Sequence, residues 1–377
     1  MTDPDEAYRR AQRLAEVGRY AEAERTARTG LASAPGSGRL LALLAWVLRM
    51  RRDYPAALAA ADAAIRADPL LADAYAERAE TLIALVRAAD AVAAAGESAR
   101  LDPFRPGGHL VLARALAAAH RVDEARAAAA HGLALDPRSV EGLLTVAEVE
   151  RDAGHRDEAA AAARAALAID PANAYGRWLI AMLDAERLRV RRSMRALRDV
   201  ARDHPARPDV VSMTWPIRGV LGGLRRGLAV GAGLVCLLLL AASRWPLLDD
   251  FARILAAVLA AVLAGFALRV LVPAGRLPWR CLRLVPRLTR RATTAGLVTV
   301  LLAIALLIAH ALTGWWLLAV LALLLAVPMW VFGFLELLGA GLDDPGFRHA
   351  LLEVTGEFRD WWRTTKRDLR AAWHNNP

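Results

Sequence analysis

Lysine is all but missing from this chain: of 49 basic residues in 377, Lys366 alone is not arginine. Cysteine is nearly as scarce. Cys236 lies in an apolar run and Cys281 in a basic stretch, too few and too differently placed for a disulfide framework. Also missing are HExxH, a Walker-type glycine loop ending in Lys-Ser or Lys-Thr, GxGxxG after a strand, a CxxC pair and G-x-S-x-G. His120, His131 and His155 read as solvated residues at helix turns. Nothing is left from which to build a metal site, a cofactor site or a catalytic set, and the chain is expected not to be an enzyme. The opening Met1-Thr2-Asp3-Pro4-Asp5-Glu6 lacks an apolar core, so no cleaved signal peptide is expected and the N-terminal domain should lie on the cytoplasmic side.

Charge divides the chain in two. Up to residue 207, 31 arginines face 29 acidic residues; beyond it, 18 basic residues face 10 acidic ones. The excess falls in the half that carries the long apolar runs, which points to a membrane surface and away from nucleic acid. Arginine and alanine in place of lysine suggest a GC-rich bacterial genome.

What the first half does have is a period. Prolines recur every 34 residues at Pro35, Pro69, Pro103, Pro137, Pro171 and Pro205, four of them preceded by Asp68, Asp102, Asp136 and Asp170. This period divides residues 4–207 into six units: 4–37, 38–71, 72–105, 106–139, 140–173 and 174–207. The eighth residue of each is Ala11, Ala45, Ala79, Ala113, Ala147 and Ala181. The twentieth is alanine in the first five units and Ser193 in the last, and the twenty-seventh is mostly small. Gly18-Arg19-Tyr20, Arg52-Asp53-Tyr54 and Gly154-His155-Arg156 read as tight turns between two helices, and Asp-Pro ends the second helix. Such units bury their apolar faces only by stacking on one another.

This pattern over residues 4–207 resembles the tetratricopeptide repeat (TPR) family, with small residues at positions 8, 20 and 27 and proline at 32. The family's tryptophan at position 4 and aromatic at position 24 are absent here, and Glu150 and Asp184 replace an apolar residue at position 11. The resemblance implies an all-α, right-handed solenoid of six helix-turn-helix repeats whose first helices line a groove for protein or peptide partners. On that register the groove holds Tyr8, Gln12, Arg39, Trp46, Arg49, Glu80, Arg114, Glu148, Arg151 and Trp178. Trp46 and Trp178 are either anchors for a partner or packing between helices. The lysine and asparagine clamp by which some family members hold a C-terminal carboxylate has no counterpart: the six units contain no lysine, and Asn173 lies outside the groove positions.

After a juxtamembrane linker over 208–225, four apolar stretches at about 226–243, 251–272, 292–312 and 315–338 are long enough to cross a bilayer, giving a four-helix membrane domain over 226–342. Basic residues number fifteen before the first stretch, in the middle connection and in the tail, against Arg244 alone in the other two connections. This predicts a multi-pass protein of the cell membrane with both termini in the cytoplasm. Gly219, Gly223, Gly227 and Gly231 share a helix face, for packing within the bundle or for a homo-oligomer. In the middle connection Arg276, Trp279, Arg280, Arg283, Arg287, Arg290 and Arg291 alternate with leucines, as in a segment lying on an anionic leaflet. The tail over 343–377 is amphipathic. Arg253, Arg269, His310 and Glu336 all fall near span ends, Arg253 within reach of Asp249 and Glu336 beyond a kink at Pro328. The resulting expectation is a membrane-anchored scaffold that docks protein partners; the alternative is a small channel or transporter component that the repeats recruit or regulate.

Overall fold

A computed structural model describes residues 3–203, 214–242, 245, 247–285 and 287–342. Every described element is helical. Six helix pairs come first: α1 Pro4–Glu16 and α2 Tyr20–Ser33, α3 Gly38–Met50 and α4 Tyr54–Ala67, α5 Ala72–Ala84 and α6 Ala88–Leu101, α7 Pro106–Ala118 and α8 Val122–Leu135, α9 Val140–Asp152 and α10 Arg156–Ile169, α11 Ala174–Glu186 and α12 Val190–Asp203. Six further helices come after them: α13 Trp215–Ala242, α14 Leu247–Ala274, the short α15 Leu277–Leu282, α16 Arg287–Thr313, α17 Trp316–Leu324 and α18 Ala326–Leu342.

The periodic residues explain the pairs. Alanine at position 8 is fully buried in all six, as is the small residue at position 20, so the helices of a pair approach at distances that only a methyl or hydroxyl allows. Position 27 is as tight: a Cβ on Gly132 would stand 2.8 Å from Leu110 Cδ2. The aspartate before the proline also has a local task. Asp68, Asp136 and Asp170 each accept through Oδ1 from the backbone N–H two residues on, at 3.0, 3.2 and 3.1 Å. This Asx turn reverses the chain while proline prevents the helix from continuing. Ser37, Ser139 and Asn173 then accept from the N–H groups of Leu40, Gly142 and Gly176 to start α3, α9 and α11.

Between the helices of a pair, position 15 takes a left-handed conformation every time, at Gly18, Arg52, Val86, His120, Gly154 and Leu188. Only two of these are glycine. His131, expected at a turn, lies instead inside α8, where its ring meets His109 edge-on at 4.3 Å.

The chain forms two compact units, one with the described residues up to Ala172 and one over Asn173–Gly341. The sixth pair therefore belongs with the apolar helices. Ala181, Val190, Met194 and Leu197 share a core with Val220, Leu224, Leu263 and Val270, and the Trp215 indole Nε1 donates to Ser193 Oγ at 3.2 Å. Ser193 is the one departure from alanine at position 20, and this hydrogen bond gives the hydroxyl its partner.

Among the described residues, four helices are long and apolar enough to cross a membrane: Trp215–Ala242, Leu248–Ala274, Arg287–Thr313 and Trp316–Glu336. At 27 or 28 residues each of the first three is about 40 Å long, more than a hydrocarbon core of about 30 Å requires. Residues 215–225, read from sequence as a linker, are the first turns of α13. The last span is broken at Leu325, three residues before Pro328, whose ring would meet the carbonyl one turn back. Residues 208–213, Arg244, Pro205 and the amphipathic tail of 343–377 lie outside the described residues.

Candidate functional site

In the first unit, the first helices of consecutive pairs are joined by a ladder of charges. The Arg49 guanidinium on α3 meets Glu77 at 3.0 Å and Glu80 at 3.9 Å on α5. Arg114 on α7 meets Glu80 at 2.5 Å, Glu141 on α9 at 3.3 Å, and Thr145 Oγ1 at 3.0 Å. Glu80 thus serves two arginines from neighbouring repeats. Burial works against the charge of Arg49 and Arg114, but the carboxylates around them more than offset it and hold both above the ordinary arginine range. Burial also lifts the Glu77 carboxyl, and Arg49 only partly reverses this.

Trp46 sits at the head of the ladder. It packs against the cluster that holds Ala11 and Leu43 and the cluster that holds Ala15 and Val47, and it borders two cavities. One, of about 200 Å³, is lined by Tyr8, Gln12, Arg39, Leu71, Asp73 and Glu77 among others; the second, of about 270 Å³, by Arg49, Glu80, Arg105, Val111, Arg114 and Glu141. Arg39 stacks its guanidinium over the Tyr8 ring at 4.4 Å, and Arg105 holds Asp73 at 2.5 Å. Seven of the ten groove residues read from sequence line these two spaces.

The other three sit elsewhere. Glu148 is half-buried and acts on Arg114 through its field. Arg151 pairs with Asp152 at 3.1 Å. Trp178 is in the second unit, stacked on Tyr175 at 5.4 Å and packed against the core that holds the apolar helices. Asp73, Glu77, Arg105 and Glu141 escaped the sequence reading. Asp73 and Glu141 stand at position 2 of their units, a groove position, but Glu77 is at position 6 and Arg105 at 34, where only the stacking of repeats brings them in.

The glutamate at position 11 is accommodated rather than disruptive. Glu150 accepts from Arg126 at 2.8 Å and from His155 Nδ1 at 2.8 Å. Burial pushes its carboxyl up, but those two hydrogen bonds win and leave it below the ordinary carboxylate range. Asp184 likewise lies 3.2 Å from Arg192 and 3.5 Å from Arg189.

In the second unit the glycine face of α13 is covered by α14. A Cβ on Gly223 would stand 2.9 Å from Phe266, one on Gly227 would stand 2.7 Å from Leu263, and one on Gly231 would overlap Leu259; Gly219 has only Trp215 of its own helix nearby. The middle connection presents Arg276, Trp279, Arg280, Arg283, Arg287 and Arg291 outward, with Cys281, Leu282 and Val285 buried beneath them, while Arg290 donates to the Arg283 carbonyl at 3.2 Å. Glu336 is buried beside Arg218 at 2.6 Å and Arg225 at 3.6 Å, which ties the end of α18 to the start of α13. At the opposite end Arg253 donates to the carbonyls of Ala311 and Leu312 at 3.4 Å each, and the buried His310 donates through Nδ1 to Trp315 O at 3.1 Å. Among the described residues, no three of histidine, cysteine, aspartate or glutamate come together as a metal site would require.

No protein-family model matches the chain, and no curated protein does. Solved structures similar to it include a thermophilic TPR protein of Thermus thermophilus, at 23% identity, 48% of this chain, 98% of that chain and a TM-score of 0.45. The Cut9–Hcn1 hetero-tetramer of the APC/C is similar at 15% identity over 54% of this chain and 41% of that one, with a TM-score of 0.47. The pilF protein of Pseudomonas aeruginosa is similar at 17% identity over 54% and 93%, with a TM-score of 0.41. The segment up to residue 203 is a TPR-like helical repeat, and four long apolar helices come after it.

Proposed function

We infer that this chain is a scaffold of a bacterial cytoplasmic membrane, in which the repeats dock a protein segment and the four apolar helices hold them at the membrane. The observation that carries the reading is Trp46, half-exposed between two cavities and flanked by charges of both signs. A large aromatic with a polar rim gives a partner contact area at low entropic cost. Arg49, Glu77, Glu80 and Arg114 already satisfy one another, so they hold the groove in shape. Arg39, stacked on Tyr8, and Gln12, bonded to the exposed end of Glu16, are the groups that can turn to a ligand. Both termini then face the cytoplasm, no nucleic acid is bound, and neither catalysis nor a cofactor is required.

The test uses the full chain in native membranes with a photo-crosslinking residue in place of Gln12. A defined adduct that weakens in both Trp46→Ala and Arg39→Glu is expected. Adducts indifferent to both changes, or none from a chain of intact helix content, overturn docking in this groove. The second reading, a small channel or transporter component, draws on the buried Arg218–Glu336 pair, since charge inside a bundle often marks a path. Exchanging the four spans for an unrelated anchor separates the two readings: a scaffold keeps its function and a transporter loses it.

A further inference from the structure

The start of α13 and the end of α18 enclose a cavity of about 590 Å³ lined by Arg218, Arg225, Arg226, Trp330, Phe334 and Glu336, with Gly222 and Gly333 in its floor. Three guanidiniums face one carboxylate there, so among the described residues two positive charges are left without a counter-charge. Glu336 is taken up by Arg218 and Arg225. Among the described residues, Arg225 nevertheless keeps a buried Nη1 with no hydrogen-bond partner, and Arg226 donates to the Gly222 carbonyl alone, at 3.4 Å. Gly333 is what admits Arg225, since a Cβ there would overlap its guanidinium. The opposite wall is apolar and open: Trp330 is 56% exposed and Phe334 64%.

A buried N–H donor without an acceptor is costly, and buried polar groups in native structures are almost always paired. A guanidinium fork matches phosphate oxygens in charge and geometry. The cavity lies at the end of the bundle where Gly339 of α18 meets Thr289, beside the basic middle connection, and in a bundle that spans a membrane arginines at a span end reach the depth of lipid phosphates. We propose that it binds one anionic phospholipid, with the phosphate on Arg225 and Arg226 and an acyl chain along Trp330 and Phe334. The shared chemistry is a phosphate monoanion. The apolar wall selects the lipid over a free ion, because inorganic phosphate would leave the two aromatic rings uncovered.

This rests on the reading of the second unit as a membrane bundle, and the two fail differently. Native mass spectrometry of the full chain in detergent, with phosphatidylglycerol, phosphatidylcholine or inorganic phosphate added, is the measurement. One tightly held phosphatidylglycerol is expected, retained at least tenfold better than phosphatidylcholine and weakened tenfold or more by Arg226→Gln and by Gly333→Leu. Arg226 is exposed and outside the ion pair, so its variant keeps the fold; Gly333→Leu keeps every charge but displaces the Arg225 guanidinium from the cavity wall. Arg291→Gln, in the middle connection, keeps the lipid. Equal retention of both lipids, or no effect of either cavity variant, overturns the site. Full occupancy by inorganic phosphate overturns its assignment to lipid. Release of the chain from membranes by alkaline carbonate overturns the membrane reading and the site together.

Discussion

At position 15 of every helix pair the backbone is left-handed, whichever residue stands there. Glycine at Gly18 and Gly154 adopts this freely. Val86, at φ 62° and largely exposed, is β-branched and has no buried contact to recompense it. Val86→Gly is therefore expected to stabilise the chain by about 1 kcal/mol, read as a higher midpoint of thermal unfolding in detergent. Glu150 is the opposite case, an apparent misfit that is well held. Its carboxyl is depressed by Arg126 and His155. A depressed carboxylate adds stability above its unfolded pKa and loses it as pH falls through the folded value. Glu150→Gln should then unfold at lower temperature than wild type at pH 7, and the gap should close below about pH 4. A gap that persists unchanged at pH 3 would count against the assignment.

Helix meets helix in two ways in this protein. In the repeats, tight alanine contacts set the distance and the arginine–glutamate ladder sets the register. Removing one partner of a half-buried pair leaves the other charge uncompensated, at about 3 kcal/mol or more. Glu80→Ala takes from Arg49 and Arg114 the carboxylate they share, leaving them Glu77 and Glu141, so it should cost less than that and still more than Glu77→Gln, which removes a carboxylate that burial already disfavours. Replacing Arg49, Glu77, Glu80 and Arg114 together by methionine and leucine should cost less than Glu80→Ala alone, and a larger loss would show that the ladder does more than mutual compensation. In the second unit the contact is glycine against leucine and phenylalanine. Gly227→Leu forces α13 off α14 and should lower the unfolding midpoint without changing the oligomeric state; a changed oligomer at unchanged stability would instead assign the face to a second copy.

For the whole molecule, the proposed placement in a membrane turns on which end of the bundle would face the cytoplasm. The exposed belt of valine, leucine and phenylalanine on α13, α14, α16, α17 and α18 fits a nonaqueous surrounding. Arginine crowds one end, while Trp245, Trp315 and Trp316 lie exposed at the other. In a background without Cys236 and Cys281, Thr313→Cys should react with an impermeant maleimide in intact cells, and Arg280→Cys only after permeabilisation. The reverse pattern would invert the protein.

The 34-residue period, the alanine positions and the apolar runs were legible in the sequence because each depends on spacing along one chain. Helix content, turn positions and candidate spans come from such local patterns. Seven of the ten residues assigned to groove positions line the two cavities beside Trp46, since a strict repeat converts sequence position into a helix face. Tertiary structure alone decided the remainder. That Glu80 is shared by two arginines, that Ser193 answers Trp215, that the sixth pair belongs with the apolar helices, and that Arg218 meets Glu336 across 118 residues all depend on packing between elements. No local spacing encodes which charged residue will find its partner, because that pairing is selected by the cost of leaving a buried charge alone.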